Sequence, residues 1–323
     1  MPPLELAHRV GSLADFEDPF TVYDELGRHA RESILAVLPS EWSFHKKRVL
    51  DFGCGAGRTL RHFFPEAAEG EFWGCDIDTD SVRWLKDELC PPFHVFENRE
   101  HPPLDLESEA FDLVYAVSVF THLTDSWSDW LLEMHRILAS EGLLLATFIG
   151  PGAAPHVTDE PWSADRIGMN VLRPGQGWDL GGPMVLHSPW WIRAHWGRAF
   201  EIVHIELDGF GADSPGGQGV VLMRKQPARL TRQDLEVPEP NEPRELEAAR
   251  SNLQQLSNEL TQLRHEFGEL SAAWHGERAA NEALRSRSSE LESAIQQIAG
   301  SHSWRLTAPL RALRNRFGSE RDG

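Results

Sequence analysis

Positive charge is scarce in this sequence. Its 323 residues carry 31 Lys and Arg against 50 Asp and Glu, a net charge of −19. A general nucleic-acid binder needs clustered cations to meet phosphates, so that class is argued against. The acidity reads instead as the charge that keeps a globular protein dispersed. Cysteine is scarce too: Cys54, Cys75 and Cys90 form no CxxC pair and no zinc spacing. A reducing cytoplasm fits that usage better than a disulfide framework. No stretch approaches the ~20 apolar residues of a membrane span. The first twenty residues carry early acids and no apolar core of signal length. These absences predict a soluble, cytoplasmic protein whose surface can still meet the inner face of the cell membrane. A chain this long buries a sizeable core without staples.

What is present changes character near residue 227. Before it, short apolar runs alternate with amphipathic segments. The runs predict strands at 48–53, 71–76, 93–97, 111–117, 142–149, 200–206 and 218–224. Helices are predicted at 19–38, 58–64, 79–89, 126–139 and 188–198. Strands alternating with helices imply a mostly parallel sheet covered on both faces. In the helix at 126–139, Trp130, Leu131, Met134, Ile137 and Leu138 share a face, and Asp125 is the expected N-cap.

The segment 226–245 holds four prolines among many charges and reads as a linker. From Leu246 a heptad begins. One seam series runs Leu246, Leu253, Leu260, Phe267, Trp274, Asn281, Ser288, Ile295; the other runs Ala249, Leu256, Leu263, Leu270, Glu277, Leu284, Leu291, Ile298. Thirteen of these sixteen positions are apolar, a pattern that predicts a coiled coil. As one helix it would reach roughly 80 Å at ~1.5 Å per residue. Asn281, Ser288 and Glu277 weaken its middle, and Asn281 is placed to set register. A helix packed on its own catalytic domain is the alternative. The tail, 301–317, sets Arg305, Arg311, Arg314 and Arg316 among Trp304, Leu306, Leu310, Leu313 and Phe317. That basic amphipathic pattern suits an anionic membrane surface or a partner protein.

The stretch "RVLDFGCGAGRTLRHF", 48–63, carries the chemistry. A strand, a glycine-rich turn and a helix make a nucleotide-site design, because glycine lets backbone approach a ligand and helix N–H groups point at it. A dinucleotide fingerprint would read GxGxxG. Here Gly53, Gly55 and Gly57 read GxGxG, with Asp51 two residues before the first glycine. An acid there is unwelcome near a pyrophosphate but useful to an ammonium or sulfonium. In "FWGCDIDTDSVRWL" a strand ends at Asp76, about twenty residues beyond the glycines. A carboxylate there can accept from both ribose hydroxyls, a device both cofactor classes share.

With these residues the segment 48–150 resembles a class I S-adenosylmethionine-dependent methyltransferase. "VLDFGCGAG" resembles the family's first motif, "GCDID" its second and "FDLVYAVSVFTHLTD" its fourth-strand motif. "WLLEMHRILASEGLLLATFIG" resembles its helix and fifth strand, with Ser140-Glu141-Gly142 where the family usually has Pro-Gly-Gly. "FEIVHIELDGF" and "QGVVLMRK" resemble its closing strands, so the likeness spans roughly 19–225. It implies an α/β, Rossmann-like seven-stranded methyltransferase sheet, mostly parallel with the last strand antiparallel, followed by a long C-terminal α-helical coiled coil. The expected domains are 1–225, with a core at 19–225 and a substrate-side insertion at 150–188, then the linker 226–245, the coil 246–299 and the tail 300–323.

The resemblance also implies roles. S-adenosyl-L-methionine is the expected cofactor. Backbone at Gly53 and Gly55 would pack on its methionine part, and Asp51 would hold its ammonium. Cys54 falls inside this cofactor-binding loop, where its thiol reads as a small filler without chemistry. Asp76 would bind the ribose hydroxyls and Ile77 would pack on the adenine. Asn98 stands where the family often has Asp near the adenine amine. Ala116 to Ser118 would line the other side.

An oxygen acceptor needs a base and a nitrogen acceptor need not have one. His122, His156 and His187 are the candidates, with His122 at the rim after the fourth strand, where such sheets bind ligands. A histidine that merely fixes this loop is an equal reading. The insertion is rich in tryptophan (Trp162, Trp178, then Trp190 and Trp191), which suits sugar stacking or a buried lid equally. Asp159, Glu160, Asp165 and Asp179 lack ligand spacing, so no metal is expected. "SHSWRLTAPLR" resembles a C-terminal motif of bacterial glycosyltransferases and methyltransferases of surface-polysaccharide synthesis. It suggests O-methylation of a sugar, with the coil joining copies of the chain or a partner protein and the tail touching the membrane. A small-metabolite or protein-nitrogen methyltransferase, and an inactive scaffold acting through its coil, are the competing functions.

Overall fold

The computed structural model describes residues 1–8, 13, 16–177, 181–211 and 217–311. The chain divides into two compact units, Met1–Ser257 and Asn258–Gly323. A short helix, α1 (Leu4–Ala7), opens the first unit. Five strands then run parallel: β1 (Arg48–Phe52), β2 (Glu71–Asp76), β3 (His94–Glu97), β4 (Phe111–Ala116) and β5 (Leu138–Phe148). β8 (Phe200–Phe210) and β9 (Gln218–Lys225) complete a seven-stranded sheet in the order β3-β2-β1-β4-β5-β9-β8, with β9 antiparallel to both neighbours. This is the sheet expected from the sequence, with its last strand reversed.

The period-two alternation of β-strands sorts the core into two layers. Leu50, Phe52 and Val114 face α4 (Trp127–Ile137), against Trp130, Met134 and Ile137. Val49, Leu113 and Tyr115 face α2 (Pro19–Val37), against Ala30 and Ile34. Asp51 shares the face of Val49 and so points toward α2. That helix starts at Pro19 behind an Asp18 cap, whose carboxylate accepts from the Thr21 amide at 3.1 Å. At Gly27 it lies directly on the Arg58 carbonyl, where any Cβ would overlap the oxygen. α3 (Thr79–Glu88) starts behind Asp78, which accepts from the Ser81 amide at 3.2 Å.

Four local expectations change. After the glycine loop, the helix expected at 58–64 is a 3-10 turn, Leu60–Phe63. Arg61 N–H reaches Gly57 O, but His62 N–H goes to Thr59 O, and that shorter bond tightens the turn. α4 begins one residue later than expected: Ser126, not Asp125, is its N-cap, with no side-chain bond. Its first residue, Trp127, turns inward against Trp191, while the Asp125 carbonyl accepts from Arg232 at 2.9 Å. The helix at 188–198 splits into α5 (Pro189–His195) and a 3-10 turn, Trp196–Arg198. The insertion 150–188 is not all loop, because β6 (Met169–Leu172) and β7 (Met184–His187) form an antiparallel pair. Met169 to Leu172 and Met184 to His187 are short apolar runs too brief to stand out by period.

The segment read as a linker packs on the domain. α6 (Arg232–Glu236) opens with a Thr231–Asp234 capping box and buries Leu235 completely. Arg198 Nη1 donates to the carbonyls of Asp234, Leu235 and Val237 at 2.7, 3.1 and 2.7 Å. The long helix α7 (Arg244–Gly300) follows, then α8 (His302–Leu306). The start of α7 is tied down: His195 Nε2 lies 2.9 Å from Glu245 Oε1, and Asn252 Oδ1 accepts from the Val171 amide at 3.2 Å. Among the described residues, no helix is long and apolar enough to cross a membrane.

Candidate active site

The glycine loop is tied to the tip of β2. Gly53 and Cys54 N–H groups both donate to Cys75 O, at 2.9 and 3.0 Å, and Gly57 N–H donates to Cys54 O at 2.9 Å. Gly53 adopts φ +80°, and a Cβ there would strike Val119 of the β4–α4 turn. Gly55 N–H donates to Asp76 Oδ2 at 2.7 Å, and Asp78 N–H donates to Asp76 Oδ1 at 2.9 Å. Each carboxylate oxygen thus holds one amide and keeps capacity for a hydroxyl. Burial raises the Asp76 pKa against these two amide bonds.

Cys54 is held inside the loop. Its amide and carbonyl are both used inside the loop, and its sulfur packs under Gly74. Burial raises its thiol well above the usual range, so it stays a neutral filler.

Asp51 is 2% exposed. Burial pushes its pKa up to about 8; the Tyr115 hydroxyl and Arg58 oppose that, and Asp76 adds to it. Tyr115 Oη nevertheless has no partner at full hydrogen-bond geometry among the described residues. Tyr23 of α2 is fully buried, and its hydroxyl also lacks a partner there. Burial pushes its pKa up to about 12, against the charges of Arg61 and Arg58. The Arg61 guanidinium sits 5.5 Å over the Tyr23 ring and 5.6 Å over the Trp84 ring, and its Nη2 has no partner among the described residues. Tyr23, Arg58 and Arg61 were not singled out from the sequence. Arg58 and Arg61 follow the glycine loop directly, and that was the available signal. A buried acid beside buried guanidinium and hydroxyl groups matches the two ends of an amino acid.

At the other end of the loop, Ile77 is 40% exposed at the tip of β2. Asn98 N–H donates to Asp76 O at 3.0 Å, fixing it beside that tip. Its Nδ2 donates to Arg99 O, but its buried Oδ1 has no partner among the described residues. An apolar surface beside an idle acceptor suits a purine carrying an exocyclic amine. Across the sheet, Ser118 has φ +61°. Its amide donates to Thr147 Oγ1 at 2.7 Å and its hydroxyl accepts from Gln218 Nε2 at 2.9 Å. Asp51, Gly53, Gly55, Asp76, Ile77, Asn98 and Ser118 therefore lie at or next to the C-terminal ends of β1 to β4.

The β6–β7 pair docks at the ends of β4 and β5. Val185 N–H donates to Thr121 O at 2.8 Å and His187 N–H to Ile149 O at 2.9 Å. Beneath it, His122 Nδ1 lies 2.7 Å from Pro183 O. Donation to that carbonyl puts the ring proton on Nδ1 and makes Nε2 the basic nitrogen. Burial lowers the His122 pKa below its usual value, which keeps the ring neutral near pH 7. His187 is fully buried between Trp191 and Trp196, with neither ring nitrogen partnered among the described residues, and its pKa is driven down to about 3. His156 is exposed on a 3-10 turn. Of the three candidate bases, His122 is the one that lies at the rim, in the turn after β4.

Trp190 and Trp191 are pillars of the fold: Trp190 Nε1 donates to Ala164 O at 2.8 Å, and Trp191 stacks on His195 at 4.3 Å. Trp162 is half-buried in the insertion's own core. Trp178 and Asp179 lie outside the described residues. Asp159, Glu160 and Asp165 are exposed, and among the described residues no three potential ligands gather around a metal site.

Residues 50–144 match a family model described as a methyltransferase domain. The match runs from β1 into β5 and takes in the glycine loop, Asp76, Asn98, Ser118 and His122. No curated protein matches the sequence. Solved structures similar to this chain include a SAM-dependent methyltransferase from Methanosarcina mazei, 16% identical, covering 59% of this chain and 96% of that one with a TM-score of 0.44. A SAM-dependent methyltransferase from Aquifex aeolicus is 15% identical, covering 66% and 97% with a TM-score of 0.42. The glycopeptide N-methyltransferase MtfA, solved with S-adenosyl-L-methionine, is 15% identical, covering 62% and 94% with a TM-score of 0.44. Over residues 50–144, then, the chain is similar to a methyltransferase domain.

Proposed function

We propose that this chain methylates a sugar hydroxyl on a lipid-linked or growing surface glycan, at the inner face of the cell membrane. The bound cofactor supplies a methyl group on a sulfonium centre. The protein's tasks are alignment, exclusion of water and removal of a proton. Asp51 meets the ammonium of the methionine end, and Tyr23, Arg58 and Arg61 meet its carboxylate. Asp76 takes the ribose hydroxyls, Ile77 packs on the adenine and Asn98 Oδ1 accepts from its amine. Ser118 lines the opposite wall, and Gly53 and Gly55 let the cofactor approach the backbone.

The observation that carries the oxygen acceptor is His122, a neutral imidazole with Nδ1 committed to Pro183 O under the docked β6–β7 pair. In this reading Nε2 receives the acceptor's proton. The sugar rests on the tail sequence "SHSWRLTAPLR". The coil from Leu246 onward joins copies of the chain, and the basic tail rests on anionic lipid. Transfer of labelled methyl from S-adenosylmethionine tests the reading, with glycan acceptors run beside amine acceptors. Label in an alkali-stable sugar ether, lost with His122→Ala, is the expected result. Label only in amines would overturn the sugar. Failure of the folded protein to bind the cofactor would leave a scaffold acting through its coil.

A further inference from the structure

Among the described residues nothing covers the seam of α7 beyond its first turns. Leu260, Phe267, Trp274, Leu284, Leu291 and Ile295 are each between 48% and 74% exposed. A stripe this long is too apolar to stay in water. What covers it can be read from the residues beside it, which set partner and orientation in coiled coils.

We infer that α7 forms a parallel, in-register pair with α7 of a second copy of this chain. The inference rests on the coil reading above and adds strand number and direction. With Leu246 as the first seam position, a parallel pair brings each residue just before a position of the Leu246 series beside the residue five places later in the other helix. Those pairings are Asn252–Ser257, Glu259–Arg264, Glu266–Ser271, Ala273–Arg278, Ala280–Arg285, Arg287–Glu292 and Ala294–Ala299. Two are opposite charges and none are like charges. Two-fold symmetry makes each attraction twice. Asn281 meets its own copy, and the two amides can bond across the seam only when the helices are in register.

An antiparallel pair fits less well. The register that fills its seam best sets Asn281 against Glu277, keeps one attraction, Arg264–Glu292, and faces Arg278 with its own copy. The parallel pair carries its cost at Glu277, which meets its copy, but Arg278 of each helix lies beside that carboxylate. In the single chain Arg278 Nε pairs with Glu282 Oε1 of its own helix at 3.2 Å.

The test uses the full chain carrying Cys90→Ser, which leaves only the buried Cys54 and Cys75. Light scattering should give the mass of two copies. Leu284→Cys added to that background should cross-link to itself under mild oxidant, because identical seam positions face each other. Arg287→Glu should weaken the pair by about tenfold, since each attraction becomes a repulsion twice over, and Arg287→Glu with Glu292→Arg should restore it. A single-copy mass would overturn the coil reading itself. A two-copy mass without the Leu284→Cys cross-link, but with one between Trp274→Cys and Leu284→Cys chains, would overturn only the direction.

Discussion

The Gly55 amide donates to Asp76 Oδ2 at 2.7 Å, joining the glycine loop to the strand that follows it. One carboxylate therefore shapes the loop and, in the proposed function, also faces the ligand. Removing it should cost both the loop's geometry and the ribose hydrogen bonds. Asp76→Ala is expected to weaken S-adenosylmethionine binding by roughly 100-fold or more, from two lost charge-assisted bonds of about 1.5–3 kcal/mol each. Asp76→Asn keeps one acceptor and should lose less. Calorimetric titration measures both, and affinity within threefold of the parent in Asp76→Ala would remove Asp76 from the ribose.

Asp51 gives a pH signature with a definite sign. Its pKa is raised by burial from 3.8 to about 8, so the ligand-free fold binds more protons there than the unfolded chain between those values. The stability tied to its protonated form is full below the unfolded pKa and is lost as pH rises toward about 8. Asp51→Asn should therefore raise the ligand-free melting temperature at pH 8 by a few °C, for a gain on the order of 1–3 kcal/mol. An ammonium placed beside Asp51 favours the carboxylate, so cofactor binding near pH 7 should release a proton. Titration in buffers of different ionisation enthalpy reads that release, and an unchanged apparent enthalpy across buffers would detach Asp51 from the ammonium.

Much of this architecture was legible because the sheet is parallel. Buried parallel strands are apolar runs, and those at 48–53, 71–76 and 111–117 needed only trimming by a residue or so. Asp51, Gly53, Gly55 and Asp76 stood out by their spacing, and the structure gathers them at the C-terminal ends of β1 and β2. Tyr23 did not stand out, because the packing of α2 on the Arg58 backbone brings it near Asp51 and leaves no local period, and Arg58 and Arg61 signalled themselves only by following the glycine loop. The β6–β7 pair was missed because four-residue strands carry too little alternation to read. The prolines of 226–245 pointed to a free linker, while the capping box at Thr231 and buried Leu235 hold that stretch on the domain.

His122 should show its role in the rate and not in cofactor affinity. Its pKa is lowered by burial, so the neutral form that can accept a proton prevails above a value below 6.5. The turnover rate should rise with pH through that lowered pKa and then level off. His122→Ala is expected to cut turnover by about 10²–10⁴-fold, the usual contribution of a positioned base, while S-adenosylmethionine affinity stays within about twofold. A variant with unchanged turnover and a lower melting temperature would make His122 a prop for the β6–β7 pair.

The first compact unit ends at Ser257, about thirty residues beyond the last strand of the sheet, and Leu235 anchors the first part of that extension. That side chain is fully buried in the layer that holds Trp127 and Trp130. Around it, Ser128 Oγ donates to Glu236 at 2.6 Å and Arg198 grips three carbonyls of the same segment. A chain ending at residue 225 would expose that apolar surface and leave the Arg198 guanidinium without its acceptors, although its sheet would be complete. Leu235→Ala should therefore destabilise the protein by about 2–5 kcal/mol, while Leu253→Ala, on the exposed seam of α7, should change stability by about 0.5 kcal/mol or less in the isolated 1–257 chain. Denaturant unfolding of the parent and both variants measures the contrast. Equal, small effects at the two leucines would return 226–245 to the status of a tether and end the folding unit at β9.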